Sequence, residues 1–521
     1  MRALAICGLA SLLLGQEPVI RVNTRLIQVN VVVHDKNGPV ADLTKNDFTI
    51  LDKGTPQRIA VFNVYKTAAA AAPARQLPTG LFTNRLDLRP DHPSSVTVLL
   101  LDVMNTAFDD QTYVRDQALK FLSTLQRGDR VALYLLTTRG VQVIHDFTGD
   151  ASAVADDVAR MQGRKSVAER ATSAPPPANV PASGAAGGVM ARLSALLAQN
   201  IQDMNRHYSV DRARLTAQAM IAIGRHLGRV PGRKNLVWVS GSFPIMLGWR
   251  GDGASDSIRV QSYVKDAVRA LSSADVAVYP VDARGLIAMR GAAGSMRMAR
   301  ASAITNNQDT MRTFADATGG RAFSNTNGIA EAMRKAMDDA AVTYTIGFYA
   351  DAEKFDGSFH DLKVRVDRSG LDVRYRSGYF AMDPPAPSDQ ERSALERREA
   401  DSPLESTGIG LTAAIVRAGR SFRLDVTMDV SDLKLKQTDN RWTGNAEITY
   451  FRQAADGRRL GLTSRTVNFN VTDEVYRKTL QEGLVLGEII EQVKDLDHIR
   501  IVAIDQDSGV VGSLIVQVPK S

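Results

Sequence analysis

Cysteine is almost absent from this chain of 521 residues, since Cys7 carries its only thiol. One cysteine excludes an intramolecular disulfide, and it excludes zinc and iron–sulfur sites built on several cysteines. The seven histidines are scattered, and the sequence contains neither a His-Glu-x-x-His nor a Gly-x-Ser-x-Gly motif. After the N-terminus, no segment reaches the ~20 uninterrupted apolar residues of a membrane-spanning helix. The sequence therefore predicts no integral membrane segment in the mature chain.

A large excess of one charge is also missing. The chain has 64 basic and 57 acidic residues, a formal net charge of +7, and the two signs are interspersed. Because no strong basic field results, nucleic acid is not an expected partner. Apolar residues make up 44% and charged residues 23%, which is ordinary for globular proteins. At roughly 100 to 200 residues per domain, the length predicts about three domains.

The N-terminus has the pattern of a secretory signal peptide over residues 1–15. Arg2 is followed by the apolar run Ala3–Leu14 and by the small residue Gly15. This run is too short for a bilayer core of ~30 Å. We therefore expect an exported protein, periplasmic or extracellular, whose mature chain begins near Gln16. Two alternatives are lipidation at Cys7, which Ile6 and the continuing apolar run disfavour, and a buried N-terminal helix.

The strand and helix patterns divide the remaining chain into six segments. Alternating apolar residues bounded by turn clusters indicate strands, and apolar residues spaced three or four apart indicate helices. Stretches rich in Pro, Ala, Gly or Ser indicate linkers and exposed insertions. The predicted segments are an N-terminal β module at 18–66, a linker at 67–95, an α/β domain at 96–350 with a disordered insertion at 163–188, a β-hairpin at 351–381 that joins the N-terminal module, a linker at 382–405, and a C-terminal, sandwich-like β domain at 406–521.

Strand and helix alternate over the long central segment. Continuous apolar strands at Thr97–Leu101, Val131–Leu136 and Val276–Val281 are separated by amphipathic helices, and Tyr344–Tyr349 ends the series. This alternation predicts an α/β fold with a doubly wound, mostly parallel sheet that is covered by helices on both faces. Ligands of such sheets bind at the carboxyl ends of the strands.

Several motifs in this order resemble the von Willebrand factor A-related domain of secreted acidobacterial proteins. They are TVLLLDVMNT, QRGDRVALYLL, VIHDFTGD, GRKNLVWVSGSFP, VAVYPVDARG, FADATGGRAFSNTN and YTIGFYA. The flanking VNVVVHDKNGPVADLTKNDFTILDKGTPQRIAVF and RYRSGYF also resemble this family, so the resemblance covers about residues 18–381. It implies a von Willebrand A-like fold, an adhesion or assembly role in protein–protein interaction, and a metal-ion-dependent adhesion site.

The adhesion site that the resemblance implies is degenerate here. The family has an Asp-x-Ser-x-Ser loop, a threonine before a later helix and an aspartate after the fourth strand, whereas this chain has Met104 within Asp102–Thr106, Val189 after Gly187-Gly188, and Val239–Ser242 in these places. Methionine is a poor Mg²⁺ ligand. The remaining metal candidates are Asp102, Asn105 and Thr106. We therefore expect no required cofactor and at most weak Mg²⁺ binding. An alternative is that Asp102 only caps the following turn.

Candidate ligand-binding residues lie at the same strand-end face. They are Asp102, Asp109, Asp110, Ser240 and Ser242. The favoured function is a secreted binding module for a protein or cell-surface ligand, without catalytic residues. The alternative is an extracytoplasmic enzyme that uses the strand-end carboxylates as an acid/base pair.

Three other sequence patterns give weaker indications of a functional site. The Arg127-Gly128-Asp129 tripeptide falls where a turn must lead into a strand, and Asp505–Gly509 resembles the start of a calcium loop but also a β-hairpin turn. The basic run Arg225–Lys234 is typical of a helix end and loop.

Overall fold

A computed structural model describes residues 24–66, 78, 80–85, 95–126, 129–161, 185–230, 232–242, 254–285, 308–339, 341–351, 358–381 and 386–519. The predicted signal peptide at 1–15, and Arg127 and Gly128 of the tripeptide, lie outside these residues. Within the described residues, no helix combines the length and the apolarity needed to cross a membrane.

Twenty-three strands are present in the described part of the chain. Their bounds are β1 Thr24–Asp35, β2 Gly38–Pro39, β3 Phe48–Asp52, β4 Thr55–Gln57, β5 Val61–Lys66, β6 Leu81–Thr83, β7 Ser95–Asp102, β8 Val131–Thr137, β9 Gly140–Thr148, β10 Arg233–Ser240, β11 Val276–Asp282, β12 Val342–Asp351, β13 Phe359–Val366, β14 Asp372–Arg374, β15 Gly378–Phe380, β16 Leu411–Ala418, β17 Ser421–Met428, β18 Lys436–Thr438, β19 Arg441–Gln453, β20 Arg459–Thr472, β21 Leu484–Glu491, β22 His498–Asp505 and β23 Val511–Gln517.

Eight α-helices accompany these strands in the described residues. They are α1 Phe108–Leu122, α2 Ala151–Arg160, α3 Ala185–Leu227, α4 Ala254–Ser273, α5 (helical at 308–318), α6 Ile329–Asp338, α7 Asp389–Asp401 and α8 Asp473–Glu482. Two short 3-10 helices lie at Lys45–Asp47 and Val430–Asp432.

One sheet contains the parallel strands and positions the candidate site. Its order is β11-β10-β7-β8-β9, with parallel pairs except for the antiparallel edge strand β9. Trp238 and Leu100 belong to a core with residues of α3, α4 and α5, and Leu99 and Leu101 to a core with α1, α2 and α6. Because the central strands are covered on both faces, they contain continuous apolar runs, at 98–101 in β7 and at 236–239 in β10. Their carboxyl ends share one edge of the sheet.

A second unit joins the N-terminal strands to the strands that follow the parallel sheet. β1 lies between β12 and β14, and β3 pairs with β13. The two resulting sheets, β14-β1-β12-β5 and β15-β13-β3-β4, share one core that includes Val31, Ile50, Tyr344 and Val364. The chain of the parallel sheet therefore leaves this unit after β5 and returns to it at β12.

The C-terminal unit consists of two further antiparallel sheets. They have the orders β21-β17-β16-β6 and β18-β19-β22-β23, with β20 on β19. Leu424 and Val426 of the first sheet and Ile448, Ile501 and Leu514 of the second belong to one buried core. The alternation of buried and exposed residues along β17 follows from this one-sided burial.

The predicted fold class is wrong. Strands take up 42% and helices 32% of the residues that the structure describes, and four of the five sheets found there are antiparallel throughout. The chain is therefore mostly β, and its fold is not the doubly wound, mostly parallel α/β fold of von Willebrand A type. The apolar run Tyr344–Tyr349 shows why. It lies in β12, which pairs antiparallel with β1 and β5 in the centre of another sheet. An apolar run shows that a strand is covered on both faces, but it does not identify the partner strands.

Three predicted segment boundaries also differ from the structure. The linker at 67–95 contains β6, which pairs with β16 of the C-terminal unit. The linker at 382–405 contains α7, whose charged sequence is helical because Ser388 and Glu391 form a capping box and only one side is buried. The insertion at 163–188 overlaps α3, which begins at Ala185.

Candidate functional site

Three neighbouring parallel strands end on polar residues. In the register of the sheet, Ser240 at the end of β10 is opposite Asp102 of β7 on one side and Asp282 of β11 on the other. All three residues are buried. A row of polar side chains in a buried position requires hydrogen-bond partners, because an unpaired polar group there costs roughly 1 to 3 kcal/mol. These partners define the chemistry of the site.

Asp102 is held by four hydrogen bonds from within the protein. Its Oδ1 accepts from the Asn105 backbone N–H at 3.0 Å, and its Oδ2 accepts from Asn105 Nδ2 at 2.8 Å. Trp238 Nε1 and Ser240 Oγ lie 3.1 and 3.0 Å from the same Oδ2. Burial raises the pKa of Asp102 to about 6, and the hydrogen bonds from Asn105, Trp238 and Ser240 oppose that rise. The carboxyl group is thus inaccessible and internally bonded.

The side chains of the other two predicted metal ligands, Asn105 and Thr106, also form hydrogen bonds within the protein. Asn105 Nδ2 donates both to Asp102 Oδ2 and to Thr216 Oγ1, which lies 3.1 Å away. Thr106 Oγ1 accepts from the Gly241 backbone N–H at 2.9 Å. Asn105 Oδ1 is buried and has no hydrogen-bond partner in the described part of the chain. Asp102, Asn105 and Thr106 are therefore close together, but their side chains form hydrogen bonds within this cluster and to neighbouring elements.

This set of donors and acceptors does not fit Mg²⁺. Mg²⁺ requires about six oxygen ligands in a nearly octahedral arrangement. Asp102 Oδ2 already has three donors directed at it, and Asp102 Oδ1 and Thr106 Oγ1 have one each. Of the oxygens of these three side chains, Asn105 Oδ1 is the one without a hydrogen-bond partner in the described residues. Elsewhere in the described ranges, no group of three or more His, Cys, Asp or Glu side chains is arranged to hold a metal ion.

The predicted ligand-binding residues divide into two groups. Ser240 contacts Asp102, and its Oγ also lies 2.7 Å from the carbonyl oxygen of Ser242. Asp109 and Asp110 lie in the first turn of α1, where negative charge stabilises the positive end of the helix dipole. Asp109 is exposed, and the neighbouring Phe108 is 37% exposed. The structure thus places two acidic residues beside the buried cluster rather than in it.

Sequence reasoning missed four contributors to this site. Asp282 accepts from Arg284 Nε at 2.9 Å and Arg284 Nη2 at 2.7 Å. Trp238 contacts the Asp102 side chain, and Thr216 contacts the Asn105 side chain. Arg212 of α3 is partly buried, and this burial lowers its pKa, although the charge of Asp102 opposes the effect. Asp282 was identifiable, because it follows an apolar strand as Asp102 does. Local patterns carry no signal for the other three.

Two of the remaining patterns have structural explanations. Asp505 ends β22, and its side chain accepts from the Asp507 backbone N–H and from Ser508 Oγ of the hairpin turn to β23. It also accepts from the Lys434 backbone N–H, which lies before β18. His226, in the basic run, has its Nδ1 2.7 Å from the Glu405 carbonyl oxygen at the end of α3.

No family model and no curated protein matches this chain.

Proposed function

We propose that the protein is an exported, non-enzymatic binding protein that holds a protein or cell-surface ligand at the strand-end face, without a cofactor. Its contact surface includes the first turn of α1, with Phe108 and Asp109. Exposed aromatic side chains beside charged ones are typical anchors of protein interfaces. The apolar N-terminal run that predicts a signal peptide supports export to the periplasm or beyond the cell.

The observation that carries this proposal is the rigid support under that turn. Gln111 Nε2 of α1 lies 2.9 Å from the Thr106 carbonyl oxygen and 3.2 Å from that of Val103. Gly241 bonds to Thr106, and a Cβ on Gly241 would lie only 3.1 Å from Thr106 Cα. The loop between β7 and α1 is thereby tied to the loop after β10. A surface that is ordered before binding loses less conformational entropy when a ligand attaches.

One observation favours the alternative, an extracytoplasmic enzyme. A carboxyl group with a pKa of about 6 is suited to general acid–base catalysis near neutral pH. Asp102 is only 1% exposed, however, and its oxygens are engaged by Asn105, Trp238 and Ser240. A substrate would have to displace these bonds before it reached the carboxyl group. We therefore assign Asp102 a positioning role.

A capture experiment tests the proposal. The mature chain is immobilised and exposed to cell-envelope extract of the producing bacterium, with EDTA or with Mg²⁺. We expect a discrete ligand that is retained under both conditions and is lost with Phe108→Ala and Asp109→Asn. Leu480→Ala is the matched control, because Leu480 is a 40% exposed apolar residue of α8. Capture that requires Mg²⁺, or that both strand-end variants leave unchanged, would contradict the proposal.

A further inference from the structure

A second candidate binding region lies between helices α3 and α7. There, a cleft of about 240 Å³ is enclosed by α3, the turn from β8 to β9, and the C-terminal end of α7 with the residues after it. Its apolar wall includes Val141, Leu215 and Ala222. Arg139, Arg225 and Arg398 also line it, so the lining combines apolar and cationic side chains.

The acidic residues of the cleft are already neutralised. Glu399 is buried, and its carboxylate contacts Arg225 Nη1 at 2.9 Å and Ser406 Oγ at 2.7 Å. Asp401 pairs with Arg459 Nη2 at 2.6 Å. Arg225 therefore has an ion-pair partner within the protein, and the carboxylates of Glu399 and Asp401 pair with Arg225 and Arg459 rather than with Arg139 or Arg398.

Arg139 and Arg398 are left uncompensated. Within the described part of the chain, neither has an acidic partner within salt-bridge distance, and Arg398 Nε donates to the Ala394 carbonyl oxygen of its own helix. Partial burial lowers the pKa of Arg398, and the like charge of Arg225 lowers it further, while Glu399 opposes this effect. Arg139 and Arg398 both line the cleft, so an anion bound there would be attracted to both positive charges.

We propose that this cleft binds a small organic carboxylate with a short apolar chain. A guanidinium group presents two parallel N–H donors that match the two oxygens of a carboxylate. The wall formed by Val141, Leu215 and Ala222 is suited to the chain, whereas inorganic phosphate offers nothing to bury there. The volume is below the ~300 Å³ at which sites for drug-sized ligands begin, so the ligand is small.

Calorimetric titration of the full mature chain with hexanoate tests this site. We expect Arg398→Gln and Arg139→Gln each to weaken hexanoate binding about tenfold, because each removes a charge-assisted hydrogen-bonding group. Arg477→Gln is the matched control, since Arg477 is an exposed arginine of α8 outside the cleft, and it should leave the affinity unchanged. Acetate lacks the chain and 1-hexanol lacks the charge, so both should bind at least about tenfold more weakly than hexanoate.

A second variant keeps the test decisive if an arginine variant fails to fold, which circular dichroism would show. Ala222→Leu keeps every charge and fills part of the apolar wall, so it should also weaken hexanoate binding about tenfold. The proposal is overturned if hexanoate does not bind by about 10 mM. It is equally overturned if inorganic phosphate or acetate binds as tightly as hexanoate, or if folded variants keep the wild-type affinity.

Discussion

Replacement of Asp102 by asparagine should remove one step in the pH dependence of stability. In the folded protein the carboxyl group is buried and its pKa is raised from 3.8 to about 6. The folded state therefore holds a proton that the unfolded chain has already released between about pH 4 and about pH 6. The contribution to stability is complete below the unfolded pKa and is lost as the pH rises through the folded value.

The size of this step follows from the shift. A difference of about two pKa units, at ~1.4 kcal/mol per unit, lowers the free energy of unfolding by about 3 kcal/mol between pH 4 and pH 6, and the loss then levels off. The Asp102→Asn variant has no group that ionises at this position. Its free energy of unfolding relative to wild type should therefore rise by about 3 kcal/mol across the same interval.

Urea denaturation at a series of pH values measures this difference. Circular dichroism reports the transition, because it follows the loss of strands and helices in every variant, including one that lacks Trp238. Ser242→Ala is the control, since it keeps all four donors to Asp102 and should follow the wild-type pH dependence. Parallel curves for wild type and Asp102→Asn would show that the carboxyl group is not the buried, proton-binding group described above.

Three further variants test the contacts around the site and between units. Trp238→Phe removes one donor to Asp102, so the pH midpoint of the same denaturation series should move upward by about one unit. Arg374→Gln leaves the buried Asp339 without its bidentate partner, and chemical denaturation should show a loss of about 3 kcal/mol. Ser388→Ala removes the capping box of α7 and should cost about 1 kcal/mol in the same assay, and an unchanged midpoint would contradict the capping role.

The predictable part of the fold is the part that local patterns determine. Runs such as Thr97–Leu101 and Val276–Val281 lie within strands, because an apolar run between polar turns has few other solutions. Strand partners were not predictable in this way. β12 follows a helix as the parallel strands do, yet it pairs with β1, more than 300 residues earlier. Overall fold class depends on such pairings, which explains why its prediction was wrong.

The candidate site shows the same division. That Asp102, Asn105 and Thr106 would be neighbours followed from their spacing at the end of a strand. The partners that decide their chemistry are Trp238 and Ser240, which lie 136 and 138 residues away from Asp102 in the sequence. The spacing suggested metal ligands, whereas the long-range contacts use the same oxygens as hydrogen-bond acceptors.

The central claim is that the strand-end face is closed by hydrogen bonds and that ligand binding there needs no metal. Calorimetric titration of Mg²⁺ into wild type and Asp102→Ala tests this claim most directly. We expect no binding tighter than about 1 mM in either protein, because a cation would have to displace the donors from Asn105, Trp238 and Ser240 and dehydrate at a single carboxylate. Micromolar Mg²⁺ binding to wild type that Asp102→Ala abolishes would contradict this and establish a working metal site.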